Sequence, residues 1–239
     1  CIESICNQTY KNIEYLIIDG GSKDNSLNII KEFDKNIAYW HSKPDRGIYD
    51  ALNMGIKKSK GDIIGILNSD DFLYKHAVET IVNSFKSNIS SSYTVGPIDL
   101  CDESGNIYKS LKIDSEIKRY ENRLLRMPAP HMSVYVLRSV FKEIGFYNIH
   151  YKYCSDYDFL LRLMDKQLIC AEYINPIGAF RRGGRGGYFN TWVEDYNIRK
   201  KFKLGLLFRI FLFIKSFIKT TLFYIYLKFS NLMTVFFKI

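Results

Sequence analysis

No acidic residue occurs between Asn197 and Ile239, whereas nine basic ones do: Arg199, Lys200, Lys201, Lys203, Arg209, Lys215, Lys219, Lys228 and Lys238. Those nine match the whole formal net charge of +9, so the rest of the chain is neutral. A neutral body argues against a nucleic-acid-binding domain, which would carry its own basic patch. A basic tail suits an anionic surface, and a membrane leaflet is the obvious one.

Other absences narrow the field further. The five cysteines (Cys1, Cys6, Cys101, Cys154, Cys170) are odd in number and never spaced Cys-x-x-Cys. They read as reduced thiols of a cytosolic protein, not as a disulfide framework or zinc site. The N-terminus has no basic stretch followed by an apolar run, so no secretory signal is expected. No Gly-Lys phosphate loop is present, which removes the main support for a phosphotransferase or nucleotidyltransferase. In the tail, the longest uncharged runs are Thr220 to Leu227 and Phe229 to Phe237. Both fall far short of the ~20 residues that span a bilayer. Joining them would bury Lys228 at a cost of roughly 2.5–3.5 kcal/mol. The tail therefore reads as a basic, hydrophobic, interface-lying segment with snorkelling lysines, or as a helix pair packed on the catalytic domain.

What is present alternates between short apolar runs and helical periods. Glu14 to Ile18 reads as a buried strand ending at the turn Asp19-Gly20-Gly21-Ser22. Asp24 to Phe33 suits a helix, Ile37 to Trp40 a second strand and Ile48 to Lys58 a second helix. Asp62 to Leu67 reads as a third strand running into Asn68-Ser69-Asp70-Asp71, and His76 to Phe85 as a third helix. This order predicts an α/β fold, with a mostly parallel sheet covered by helices. Ligands of such sheets bind at the C-terminal ends of the strands, where both acidic turns fall. Farther on, strands are expected at Tyr93 to Ile98, Ile107 to Leu111 and His131 to Leu137, and a helix at Ser155 to Met164. Arg181 to Gly187 (RRGGRGG) reads as a flexible basic loop.

The acidic turns carry the candidate chemistry. Asp70-Asp71 sits where a hard cation shared with phosphate oxygens could be held. The same pair could instead cap the next helix. Asp19 could accept from a base N–H across a glycine-lined approach, or Ser22 and Asp24 could simply cap a helix. Asp45 to Asn53 places Asp50 and Asn53 on the exposed side of a first helical turn, to meet a ligand or to solvate the helix. Asp156 opens a helix and could deprotonate an attacking hydroxyl, or could only complement the helix dipole. His131 is either structural or part of the site lining.

In this order the segments NQTY (7–10), YLIIDGGS (15–22), KPDRGIYDALN (43–53), GDIIGILNSDD (61–71) and GFYNIHYKYCSDYDFLLRL (145–163) closely resemble family 2 glycosyltransferases of the GT-A fold. The likeness is greatest to the bacterial branch that builds surface polysaccharides. It covers roughly residues 1–200, which implies a catalytic domain there and a helical tail at 201–239. It implies inverting transfer from a nucleotide-diphosphate sugar, a UDP-sugar by preference, to a saccharide or lipid-linked acceptor. Asp156 would then be the catalytic base, and Asp19 would contact the nucleobase. Asp70 would meet the ribose or metal, and Asp71 would be the main ligand of Mg2+ or Mn2+. Asp45 and Arg46 would lie near the donor, and Arg181 and Arg182 would meet the leaving diphosphate. The expected location is cytoplasmic, peripheral on the inner face of the plasma membrane.

Two departures from the family pattern stand out. Asn68 replaces a frequent aspartate, and nothing ahead of Cys1 supplies the family's first strand. A truncated N-terminus is expected on that ground, with weakened folding or donor binding. The alternative function is a nucleotide-sugar-binding or scaffold protein that has lost catalysis.

Overall fold

The structure is a computed structural model that describes residues 1–181, 189–218 and 221. It divides into two units, Cys1–Gly184 and Arg185–Ile239. In the first unit, α1 (Ile2–Cys6) precedes β1 (Leu16–Asp19), α2 (Ser26–Glu32), β2 (Tyr39–Ser42) and α3 (Ile48–Lys58). The short strands β3 (Ile63–Ile64) and β4 (Phe72–Leu73) flank the acidic turn and lead into α4 (Ala77–Ser87). Next come β5 (Tyr93–Val95), β6 (Ile98–Cys101), β7 (Ile107–Leu111) and α5 (Glu116–Asn122). The unit closes with β8 (Tyr135–Leu137), α6 (Val140–Ile144), α7 (Ser155–Asp165), β9 (Cys170–Glu172) and β10 (Gly178–Arg181). In the second unit, α8 spans Phe189–Lys201.

The chain is α/β as expected, but its pairing is mixed and not mostly parallel. β1–β2, β6–β10 and β5–β9 are parallel, whereas β3–β8, β5–β8, β4–β10 and β6–β7 are antiparallel. Connection length explains part of this. Parallel neighbours need a crossover of about a dozen residues or more, which α2 supplies between β1 and β2. Only the turn 102–106 separates β6 from β7, so they fold back as a hairpin.

Two elements differ locally from the sequence reading. The apolar run 62–67 pairs only at Ile63–Ile64. Beyond it, the Tyr135 ring lies against Gly65, where a Cβ would stand 2.2 Å from Cε1. The backbone thus leaves the ladder there and runs on to Asp70. The expected strand at His131 begins instead as a 3-10 turn over His131–Ser133. Pro130 accepts both the Ser133 amide and its hydroxyl, which closes that turn.

Two apolar clusters hold the unit together. One gathers Phe141, Tyr147, Phe159, Leu160 and Leu163 around β5 and β8. The other packs Ile81 and Phe85 of α4 on Ile98, Met132, Tyr173 and Ile177. Most of α7 is buried, which fixes the orientation of its first turn and of Asp156 within it. All five cysteines are free thiols.

Candidate active site

β1 and β2 pair in parallel with Asp19 opposite Ser42. That register lets the Ser42 hydroxyl donate to the Asp19 carboxylate at 2.6 Å. The same carboxylate accepts from the Gly21 and Ser22 amides at 3.0 and 2.9 Å, and from the Ser22 hydroxyl at 2.5 Å. Partial burial pushes the acid upward, but the hydroxyl and amide bonds outweigh it and hold it at about 2. Four donors use the acceptor capacity of one carboxylate. A base N–H reaching Asp19 must therefore displace a serine hydroxyl, so the predicted nucleobase residue is already engaged within its own loop. Gly21 has φ +87°, a left-handed conformation that favours glycine. At Gly20 a Cβ would stand 2.8 Å from the Asp45 carboxylate. Asp45 and the Asp19 loop are thus in direct apposition.

Asp45 also accepts from the Gly47 amide at 2.8 Å, which fixes the turn that starts α3. Arg46 forks onto Asp50 through Nε at 3.2 Å and a terminal nitrogen at 3.0 Å. This pair is exposed and stabilises little. Asn53 does not face solvent as expected. It is buried, donates to the Tyr147 carbonyl at 2.8 Å and accepts from the Tyr147 amide at 3.0 Å. Its place on the same face as Tyr49 and Ile56 turns it into the core, where the two-point clamp satisfies its amide.

The first turn of α3 reaches the predicted base as well. The buried Tyr49 hydroxyl lies 3.0 Å from both the Tyr153 carbonyl and Asp156 Oδ1. Tyr157 N–H also donates to Oδ1, at 2.9 Å, so both bonds to Asp156 fall on one oxygen. Tyr49 stacks on Tyr147 at 5.7 Å, and the Tyr147 hydroxyl lies 2.9 Å from His131 Nε2. Burial pulls the His131 imidazole below its usual range, while the charge of Asp156 partly opposes that shift. A lowered pKa favours the neutral ring at neutral pH. The residues missed by sequence reasoning are Tyr49 and Tyr147. Tyr49 lies inside the 43–53 motif, seven positions before Ile56, and that spacing is the signal that marks it as inward-facing.

A second group gathers at the acidic turn. Asp71 is fully buried; it accepts from the Asn68 side-chain amide at 3.0 Å and from the Arg181 backbone N–H at 2.8 Å. Burial raises its pKa, the bonds from Arg181 and Asn68 oppose the rise, and the charge of Asp70 adds to it. The expected metal ligand Asp71 is thus turned inward in this structure, with both carboxylate oxygens held by protein donors. The accessible carboxylate is Asp70, whose side chain is exposed. Asn68, which breaks the three-acid pattern, serves as the donor that holds Asp71.

Arg181 ends β10, opposite Cys101 of β6. Its guanidinium donates to the Asp70 carbonyl at 3.0 Å and to the Glu103 carbonyl. It straps the acidic turn from the sheet edge, and those bonds would compete with any bond to a diphosphate. Arg182 lies outside the described residues. Among the described residues, no three or more His, Cys, Asp or Glu side chains gather as a metal cage. A hard cation that takes most of its ligands from substrate phosphates and water needs only one or two carboxylates. Asp70, an exposed hard-oxygen donor, fits that requirement.

Residues 1–145 match the profile of Glycosyl transferase family 2. A relative in Haemophilus influenzae, described as an uncharacterized glycosyltransferase, is 32% identical over 221 residues. That alignment covers 89% of this chain and 86% of the relative. Among solved structures, S. aureus TarS 1-349 in complex with UDP-GlcNAc is similar with a TM-score of 0.62 at 12% identity. The mannosyltransferase PcManGT of Pyrobaculum calidifontis, in complex with GDP-Man and Mn2+, has a TM-score of 0.59 at 14% identity. Each similarity covers 90% of this chain, and the chain spans 66% and 64% of those two solved chains. At such identities the structural likeness is one of fold.

Proposed function

The chain belongs to glycosyl transferase family 2 and is a glycosyltransferase of GT-A fold, and we propose that it transfers a sugar with inversion from a UDP-sugar to a saccharide or lipid-linked acceptor in cell-surface polysaccharide biosynthesis. The observation that carries this reading is the segment from Asp45 into the first turn of α3. It sets Asp45 against the Asp19 loop and Tyr49 against Asp156, so one rigid segment joins the donor loop to the base.

In this mechanism Asp156 deprotonates the acceptor hydroxyl as that oxygen attacks the anomeric carbon. Its Oδ1 is occupied by Tyr49 and Tyr157, which leaves Oδ2 for the proton. Inversion follows from a single displacement opposite the departing diphosphate. Asp19 receives the nucleobase once a serine hydroxyl yields, and Asp45 and Arg46 border the donor. Asp70 would hold Mg2+ or Mn2+ together with the donor diphosphate, and that cation would supply Lewis-acid stabilisation of the leaving group. A nucleotide sugar and Mn2+ are present together in the PcManGT complex, which supports that pairing. The protein works in the cytoplasm, peripheral on the inner face of the plasma membrane.

The test is donor turnover by the protein and by Asp156→Asn, with and without Mn2+. The expected result is Mn2+-dependent release of UDP that falls at least 100-fold in the variant, with nucleotide-sugar binding retained. Donor binding without turnover in the unmodified protein would replace this reading with that of a non-catalytic sugar-nucleotide-binding protein.

A further inference from the structure

The basic segment that follows α8 places its apolar side chains in a definite pattern. Residues 206–218 form a helix. One face turns toward α8: the Phe213 ring meets Trp192 edge-on at 6.3 Å and Tyr196 at 6.4 Å, and the Arg209 guanidinium lies 4.9 Å over Tyr196. Leu207, Phe211, Ile214 and Ile218 line the side away from α8, exposed by 82, 59, 49 and 50%, and Leu206, Phe208, Ile210 and Phe217 are exposed beside them. The spacing of the first four, by four, three and four residues, keeps them on one side of a 3.6-residue helix. A continuous exposed apolar stripe of this kind marks an interaction surface.

We propose that this stripe docks in the plane of an anionic lipid bilayer. The proposal rests on the membrane placement above and names the surface that makes the contact. Charge chooses the partner: residues 197–239 carry nine basic side chains and no acidic one. Exposed Lys200, Lys201, Lys203 and Lys215 belong to the described part of that stretch. Apolar insertion flanked by lysines is the signature of a helix lying at the headgroup boundary. Among the described residues, no helix is long and apolar enough to cross a membrane.

Co-sedimentation of the full chain with vesicles tests this, using phosphatidylglycerol–phosphatidylcholine mixtures against phosphatidylcholine alone. Binding is expected to the anionic vesicles and to weaken as salt is raised. The triple variant Leu207→Ser/Phe211→Ser/Ile214→Ser should bind them about 100-fold less tightly. Leu207→Glu, at the most exposed position, should bind about tenfold less tightly and cannot fail through lost packing. Both should retain unchanged UDP release with a soluble acceptor analogue, so loss of docking and failure of the transferase reading register separately. Equal binding by the triple variant, or no preference for anionic vesicles, overturns the proposal. So does a lipid-free dimer that the same substitutions dissociate, since the stripe would then cover a second copy.

Discussion

Replacing Asp70 and Asp71 one at a time should produce opposite phenotypes, although they are neighbours in one motif. Asp71→Ala leaves the Arg181 backbone N–H and the Asn68 amide without their acceptor in a fully buried position. Stranding buried donors costs roughly 1–3 kcal/mol. For a chain of this size each kcal/mol lowers Tm by about 2–4 °C, so a fall of roughly 2–12 °C is expected. Asp71→Asn should cost less, because its carbonyl can still accept from Arg181 while Asn68 turns its own oxygen toward the new amide. Asp70→Asn touches no buried group and should leave stability within about 0.5 kcal/mol. It removes the exposed cation ligand, however, and several kcal/mol of leaving-group stabilisation correspond to a loss of at least about 100-fold in turnover. Thermal melts of the three variants, with Mn2+ titrations of UDP release, give both readouts. An Asp70→Asn protein with a normal Mn2+ response, beside an Asp71→Asn protein with an unchanged melt and no Mn2+ response, would refute the assignment.

Three further outcomes follow from other contacts. Tyr49→Phe keeps the stack on Tyr147 but loses the bond to Asp156, so kcat should fall about tenfold with donor KM unchanged; a KM effect alone would contradict a role at the base. Asp19 has its folded-state pKa depressed to about 2, so its stabilising contribution is complete above about pH 4 and is lost as pH falls toward 2. Ser42→Ala should move the Asp19 midpoint upward in a carboxyl NMR titration, and an unmoved midpoint would show that the Ser42 bond is unimportant. Gly65→Ala forces the buried Tyr135 ring to shift and should cost roughly 1–3 kcal/mol in denaturant melts; an unchanged melting midpoint would mean the ring can yield freely.

Much of this protein was legible because local signals and tertiary packing agree. The 48–58 helix appears at its expected bounds, and the 107–111 strand likewise. The β1–β2 unit lies within a few residues of its reading, because alternating apolar runs and glycine turns specify it locally. The 62–67 segment is a strand at Ile63–Ile64 only. Its composition suits a strand throughout, but only two residues find a partner before Tyr135 closes over Gly65.

The family, the fold class and the set of acidic positions were determined by the sequence itself, since five ordered motifs carry the likeness and hydrophobic periodicity carries the layers. Which acid meets solvent was decided only in three dimensions. Asp70 and Asp71 are chemically identical and adjacent, and no local rule separates them. The end of β10, arriving from more than a hundred residues away, supplies the Arg181 amide that draws Asp71 inward and leaves Asp70 outside. Tyr49 likewise reads as one more apolar position in α3 until α7 places Asp156 within 3.0 Å of its hydroxyl. A long-range contact of that kind has no periodicity to reveal it, because it depends on where two packed elements meet.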